Sequence, residues 1–193
     1  MRTVMAEAIL LLAGGSATRF PGKLEHDIEG QPMIVRVFAK LARGRWPVYI
    51  AGKGSFTPEV DAALTAPLLI DRWSPRGPLH ALLSACPFVA AGRIFAVAAD
   101  QPQLEPEVLE RLAAAWQPGD EAVVPEHAGG IEPLAALYDR FALLREGLRL
   151  RGAGRTAMRD LIAAVATRFV PMESRFFCNV NRRSDLERGL EPT

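Results

Sequence analysis

Material for a zinc centre or a disulfide framework is scarce. The sequence holds two cysteines, Cys86 and Cys178, with no Cys-x-x-Cys, and three histidines, His26, His80 and His127; neither set has the spacing of a structural metal site. Long apolar runs are missing as well. None approaches the roughly 20 residues of a membrane-spanning helix, and Glu7 interrupts the start before a signal-like stretch can build. No charge of one sign dominates: 23 Lys and Arg against 22 Asp and Glu leave a net charge of +1, mixed along the chain. That excludes the basic stripe with which proteins grip a nucleic-acid backbone. Two phosphate-binding signatures are also absent. Gly22-Lys23 is followed by Leu24 rather than Ser or Thr and lacks the upstream glycine of a Walker loop. The match to the dinucleotide spacing, Gly152-Ala-Gly-Arg-Thr-Ala157, follows polar Arg149-Leu-Arg151 instead of a buried strand and reads as a loop. These absences predict a soluble, cytoplasmic protein with reduced thiols and with neither membrane nor nucleic acid as partner.

What is present is an apolar majority. At 49% hydrophobic, the chain can bury most of its surface in one core, and residues 1–193 read as one domain. Short apolar runs without in/out alternation are separated by helical patterns. That predicts an α/β fold of three layers, Rossmann-like, around a mostly parallel sheet. The strands fall at Ala8–Leu12, Val48–Ala51, Pro67–Ile70, Ile94–Ala98, Ala122–Val124 and Thr167–Val170. Helices fall at Pro32–Ala42, at Pro58–Leu64 behind a Thr57 cap, at Leu79–Cys86, at Pro106–Trp116 and from a Thr156 cap to Ala164. Gly129, Gly130 and Pro133 break this rhythm, so Pro125–Tyr138 reads as an inserted hairpin or lid with one strand antiparallel to the sheet. Ser184-Asp-Leu-Glu187 has the form of a capping box, which puts Asn179 and Asn181 on the loop entering a last short helix.

The densest chemistry lies in the first crossover, Leu10 to Lys23. Gly14 and Gly15 allow a sharp turn whose successive N–H groups can meet anionic oxygens. Ser16 and Thr18 add hydroxyl donors, and Arg19 and Lys23 add positive charge, a set suited to a triphosphate. Asp100 follows the apolar run Ile94–Ala99, so its carboxylate emerges at the carboxyl end of a strand, the edge where open α/β sheets bind ligands. A carboxylate there suits Mg²⁺, which takes most of its other ligands from water and phosphate; a local turn cap before Pro102 is the plainer role. Asp71 follows Pro67–Ile70 in the same way and suits a base, a sugar hydroxyl or a turn cap equally.

Five segments in register carry a family resemblance through nearly the whole chain. They are Leu12-Ala-Gly-Gly-Ser-Ala-Thr-Arg19 with Lys23, Asp71 with Gly77-Pro-Leu79, Ala99-Asp-Gln-Pro102, Glu132-Pro-Leu-x-Ala-Leu-Tyr138, and Phe177-x-Asn-Val-Asn181 with Asp185-Leu186. Together they resemble the molybdenum cofactor guanylyltransferases. The resemblance implies transfer of a nucleoside monophosphate from GTP to the phosphate of molybdopterin, with release of pyrophosphate. It further implies nucleotide contacts from Leu12, Ala13, Gly14, Gly15, Ser16, Arg19, Lys23, Asp71 and Asp100, with Arg19, Lys23 and Asp100 catalytic and Asp100 holding Mg²⁺. Asn179, Asn181 and Arg155 stand where the family completes the metal or acceptor site. A transient contact with proteins that mature molybdoenzymes belongs to the same picture. The chain departs from the family in its short, proline-stiffened Arg19-Phe-Pro-Gly-Lys23, in Ile50-Ala-Gly-Lys-Gly54 where the family reads guanine, and in the polar Glu25-His-Asp27 after the lysine. CTP in place of GTP, or a sugar phosphate as acceptor, is the neighbouring reading; a catalytically silent nucleotide-binding or cofactor-delivery protein is the competing class. The lack of a Ser/His/Asp or Cys/His set is compatible with catalysis, because the attacking group in such a transfer is an already ionised phosphate oxygen.

Overall fold

The computed structural model describes residues 6–14, 22–52, 54, 56–70, 77–182 and 184–185. In chain order the elements are β1 (Glu7–Ala13), the small hairpin β2 (Asp27–Ile28) and β3 (Gln31–Pro32), α1 (Met33–Ala42), β4 (Val48–Gly52), α2 (Pro58–Ala63), β5 (Leu68–Ile70), α3 (Pro78–Ala85), β6 (Arg93–Ala98), α4 (Pro106–Ala115), β7 (Ala122–His127), β8 (Gly130–Ile131), β9 (Ala135–Asp139), α5 (Arg140–Gly152), α6 (Met158–Ala164) and β10 (Thr167–Pro171). The main sheet runs β10-β7-β9-β6-β1-β4-β5, with β8 beside β7. β1 is parallel to both β4 and β6, whereas β9 is antiparallel to β6 and β7, as the break at Pro125–Tyr138 predicts.

The missing alternation in β1 has a direct cause: both faces of the strand are covered. Ile9, Leu11 and Ala13 join one apolar cluster with Ile34, Val37, Phe38 and Leu41 of α1 and Val108, Leu109 and Leu112 of α4. Ala8, Leu10 and Leu12 join a second cluster with Leu79, Leu82 and Leu83 of α3, Leu143 and Leu150 of α5, and Leu161 of α6. The result is the predicted three layers.

Several local expectations need correction. α5 is a full helix where no helix is predicted; Asp139 caps it by accepting from Ala142 N–H at 2.8 Å. Pro32 ends β3 and stands before α1 rather than within it. Glu29 and Gly30, both at positive φ, make the tight turn of the β2–β3 hairpin. Neither Thr57 nor Thr156 caps a helix by its side chain: Thr57 N–H instead donates to Glu25 Oε2 at 2.9 Å, and α6 starts after Ala157. Residues 184–185 are helical, and the remainder of the predicted capping box lies outside the described residues. The Gly152-to-Ala157 segment is the end of α5 and the turn beyond it, consistent with a loop reading.

α3 and α5 cross closely at Gly147, where an added Cβ would lie 2.7 Å from Leu83 Cδ2. Leu83 is buried, so the close approach falls on a core side chain. Gly147→Ala is therefore expected to destabilise the protein by about 1–2 kcal/mol despite alanine's better helix propensity. A denaturant titration reads this as a lower midpoint at unchanged slope; a higher midpoint would show that Leu83 repacks.

Candidate active site

The carboxyl edge of the parallel strands collects the candidate residues. β4 lies on one side of β1 and β6 on the other, which makes the gap beyond Ala13 and Ala98 the switch point of the sheet. Leu12 and Ala13 remain within the sheet: both are buried, and the Leu12 carbonyl accepts from Ala99 N–H at 3.1 Å. Gly14, beyond the ladder, is exposed. Gly15, Ser16, Arg19 and Asp71 lie outside the described residues.

Lys23 and Asp100, 77 positions apart, meet at this edge. Lys23 Nζ donates to Asp100 Oδ2 at 2.5 Å, with side chains only 17% and 20% exposed. The placement of each is built from neighbouring residues. Lys23 opens a 3-10 turn after Gly22, whose φ of 69° favours glycine. Leu24 packs on the core and His26 C=O accepts from Met33 N–H at 3.0 Å, so the turn is tied to α1. Glu25 and Asp27 turn out to be structural acceptors, Glu25 for Thr57 N–H and Asp27 for Gly30 N–H. Their charge is thus occupied away from the pair.

The 177–181 segment completes the edge. Val180 N–H donates to the Asp100 carbonyl at 2.9 Å, and Val180 C=O accepts from Lys23 Nζ at 3.3 Å. Asn179 and Asn181 therefore flank a residue bonded to both members of the pair; Asn179 is half-buried and Asn181 exposed. Asp185 Oδ2 holds the far end of this loop by accepting from Asn181 and Arg182 N–H, 2.8 Å each. Arg155 lies beyond the carboxyl-edge end of α5, but its guanidinium is 56% exposed and paired with Asp160 at 2.5 Å. The structure does not bring it to the pair.

A Mg²⁺ ion fits this donor set in a specific sense. Among the described residues no three acidic, histidine or cysteine side chains cluster, so those residues form no closed metal cage. One carboxylate on a strand tip, with phosphate supplying further oxygens, matches the way Mg²⁺ is held with nucleotides. Both cysteines are buried and neither is in a disulfide, and burial pushes the Cys86 thiol up to about 12. No helix among the described residues is long and apolar enough to cross a membrane.

Comparison with known proteins gives the family and the same fold. Residues 9–172 match the MobA-like NTP transferase domain. A probable molybdenum cofactor guanylyltransferase of Mycolicibacterium paratuberculosis is 34% identical, covering 96% of each chain. Another from Deinococcus radiodurans is 32% identical over 91% of this chain and 90% of its own. The crystal structure of molybdopterin-guanine dinucleotide biosynthesis protein A from Archaeoglobus fulgidus superposes with a TM-score of 0.77 at 23% identity, over 94% of this chain and 95% of that one. Fold, edge and relatives define a nucleotidyltransferase. Within that class, the chain belongs to the MobA-like NTP transferase family, the branch whose members include molybdenum cofactor guanylyltransferases.

Proposed function

We propose that this protein transfers GMP from GTP to the terminal phosphate of molybdopterin, with Mg²⁺, releasing pyrophosphate. The observation that carries the reading is the Lys23–Asp100 pair at the switch point, with Val180 bonded to both. An acceptor phosphate oxygen attacks the α-phosphorus; a new P–O bond forms there, the bond to the β-bridging oxygen breaks, and that electron pair leaves with pyrophosphate. When bound, Mg²⁺ neutralises phosphate charge and orients the α-phosphate. Asp100 holds it. Lys23 and Arg19 face the charge that grows on the departing pyrophosphate, which is the part of the reaction a preorganised cation stabilises most. On this reading the family resemblance assigns Gly14, Gly15 and Ser16 to the nucleotide, Asp71 to its sugar or base, and Asn179 or Asn181 to the metal or acceptor phosphate. Arg155 reaches the acceptor only by leaving Asp160.

Base choice is read by thermal stabilisation. At a hundred times its dissociation constant a ligand adds about 2.7 kcal/mol, or roughly 5–10 °C for a chain of this length. GTP with Mg²⁺ is expected to give that shift, and CTP, UTP and ATP to give little. A shift with CTP alone would replace guanylyl by cytidylyl transfer; none with any nucleotide would overturn the proposal.

A further inference from the structure

Behind Asp100 the polar side chains close a ring. Gln101, 1% exposed, donates from Nε2 to Glu132 Oε2 at 3.2 Å, while its Oε1 is buried without a partner among the described residues. Glu132 Oε1 lies 3.1 Å from His127 Nε2. The far side of the imidazole sets the tautomer. Gly129 N–H donates to Nδ1 at 3.1 Å and Ser174 Oγ sits 3.2 Å from the same nitrogen, so Nδ1 accepts and Nε2 carries the proton to Glu132. His127 then stacks on Phe177, ring centroids 5.0 Å apart at 22°. Further along that segment, Val180 returns to the Asp100 carbonyl.

Glu132 is a fixed post in this ring. Tyr138, fully buried, donates its hydroxyl to Pro133 C=O at 2.8 Å, and Leu134 C=O accepts from Ala98 N–H at 2.9 Å. Burial raises the Tyr138 pKa, so the hydroxyl remains a donor. The position of Gly129 is equally constrained: a Cβ there would lie 2.8 Å from His127 Cε1. Apolar residues of similar volume would hold these segments together at lower desolvation cost. What the polar ring adds is direction: it fixes the angle of the His127 ring against the segment that carries the two asparagines.

We propose that His127 and Glu132 are positioning residues for the acceptor side of the site. Glu132 anchors Gln101 on one side and the His127 ring on the other; His127 sets Phe177 and, through it, Asn179 to Asn181. The inference rests on the reading that these asparagines face the acceptor phosphate. The test is His127→Phe, which keeps the stack on Phe177 and removes both ring nitrogens, alongside Gly129→Ala, which keeps every polar group and displaces the ring. Both are expected to lower kcat/KM for molybdopterin about 10–100-fold, the scale of a misplacement of about 1 Å, while the affinity for GTP with Mg²⁺ stays within about twofold. Hydrogen exchange at the Val180 amide should quicken while β1 and β6 amides keep their protection. If His127→Phe does not fold, Gly129→Ala carries the same measurements. Wild-type acceptor kinetics with unchanged Val180 exchange would overturn the inference, as would a loss spread equally over nucleotide affinity and sheet exchange, the mark of a merely structural role. Quickened Val180 exchange in a protein whose wild type transfers no nucleotide would sink the transferase reading instead, and leave the ring's hold on that segment intact.

Discussion

Asp100→Asn is expected to cut turnover by about three orders of magnitude while leaving the fold in place. The amide matches the carboxylate in size, and the Asp100 carbonyl keeps its bond from Val180 N–H. What is lost is charge. A neutral amide oxygen at a strand tip holds Mg²⁺ poorly, and among the described residues no group of three acidic, histidine or cysteine side chains stands ready to replace the carboxylate. Lys23 also loses its anion, at a stability cost of about 1–2 kcal/mol for a pair that is largely but not fully buried. Pyrophosphate release at saturating GTP, molybdopterin and Mg²⁺ measures the first effect and the unfolding midpoint the second. Turnover near wild type would remove Asp100 from the metal site.

Lys23→Met is expected to change two properties in opposite directions. The rate falls about 100- to 1,000-fold, because the cation facing the leaving group is gone. Metal affinity without nucleotide rises. In the nucleotide-free protein the Lys23 ammonium already occupies Asp100 Oδ2 and competes with any divalent cation for it. Removing that charge should raise the affinity for Mn²⁺ about tenfold or more, read from the free-ion electron paramagnetic resonance signal in a titration. On the proposed reading the pair would favour arrival of metal and nucleotide together, with phosphate oxygens supplying both the missing metal ligands and a new partner for Lys23. A variant with unchanged Mn²⁺ affinity would show that the two charges do not compete.

Much of this architecture is legible in the residues, for a physical reason. Strands covered on both faces appear as unbroken apolar runs, so β1, β4 and β6 stand out, and a carboxylate at the end of such a run can only emerge at the sheet edge. That is why Lys23 and Asp100 could each be assigned to one edge. Their direct pairing could not be read, because it depends on how the 3-10 turn at Lys23 folds back onto α1. α5 escaped because its pattern is nearly uniform around the helix: arginines at 140, 145, 149 and 151 surround few buried positions, and Gly147 sits mid-helix for close packing. Asp139 ahead of Ala142 and Leu143 was the available signal. Glu25, one of the polar residues by which the chain departs from the family after the lysine, is an acceptor for Thr57 N–H. His127 gave no sign at all, since its partners Glu132, Ser174 and Phe177 come together only when β7, β8 and the 174–177 segment pack.

The most direct measurement of the central claim is a crystal of the protein with a non-hydrolysable GTP analogue and Mn²⁺, read by anomalous scattering. The account predicts a manganese peak about 2.1 Å from an Asp100 carboxylate oxygen, phosphate oxygens completing its shell, and Lys23 moved from Asp100 onto the triphosphate. A manganese and nucleotide bound elsewhere, with the Lys23–Asp100 bond still intact, would contradict it.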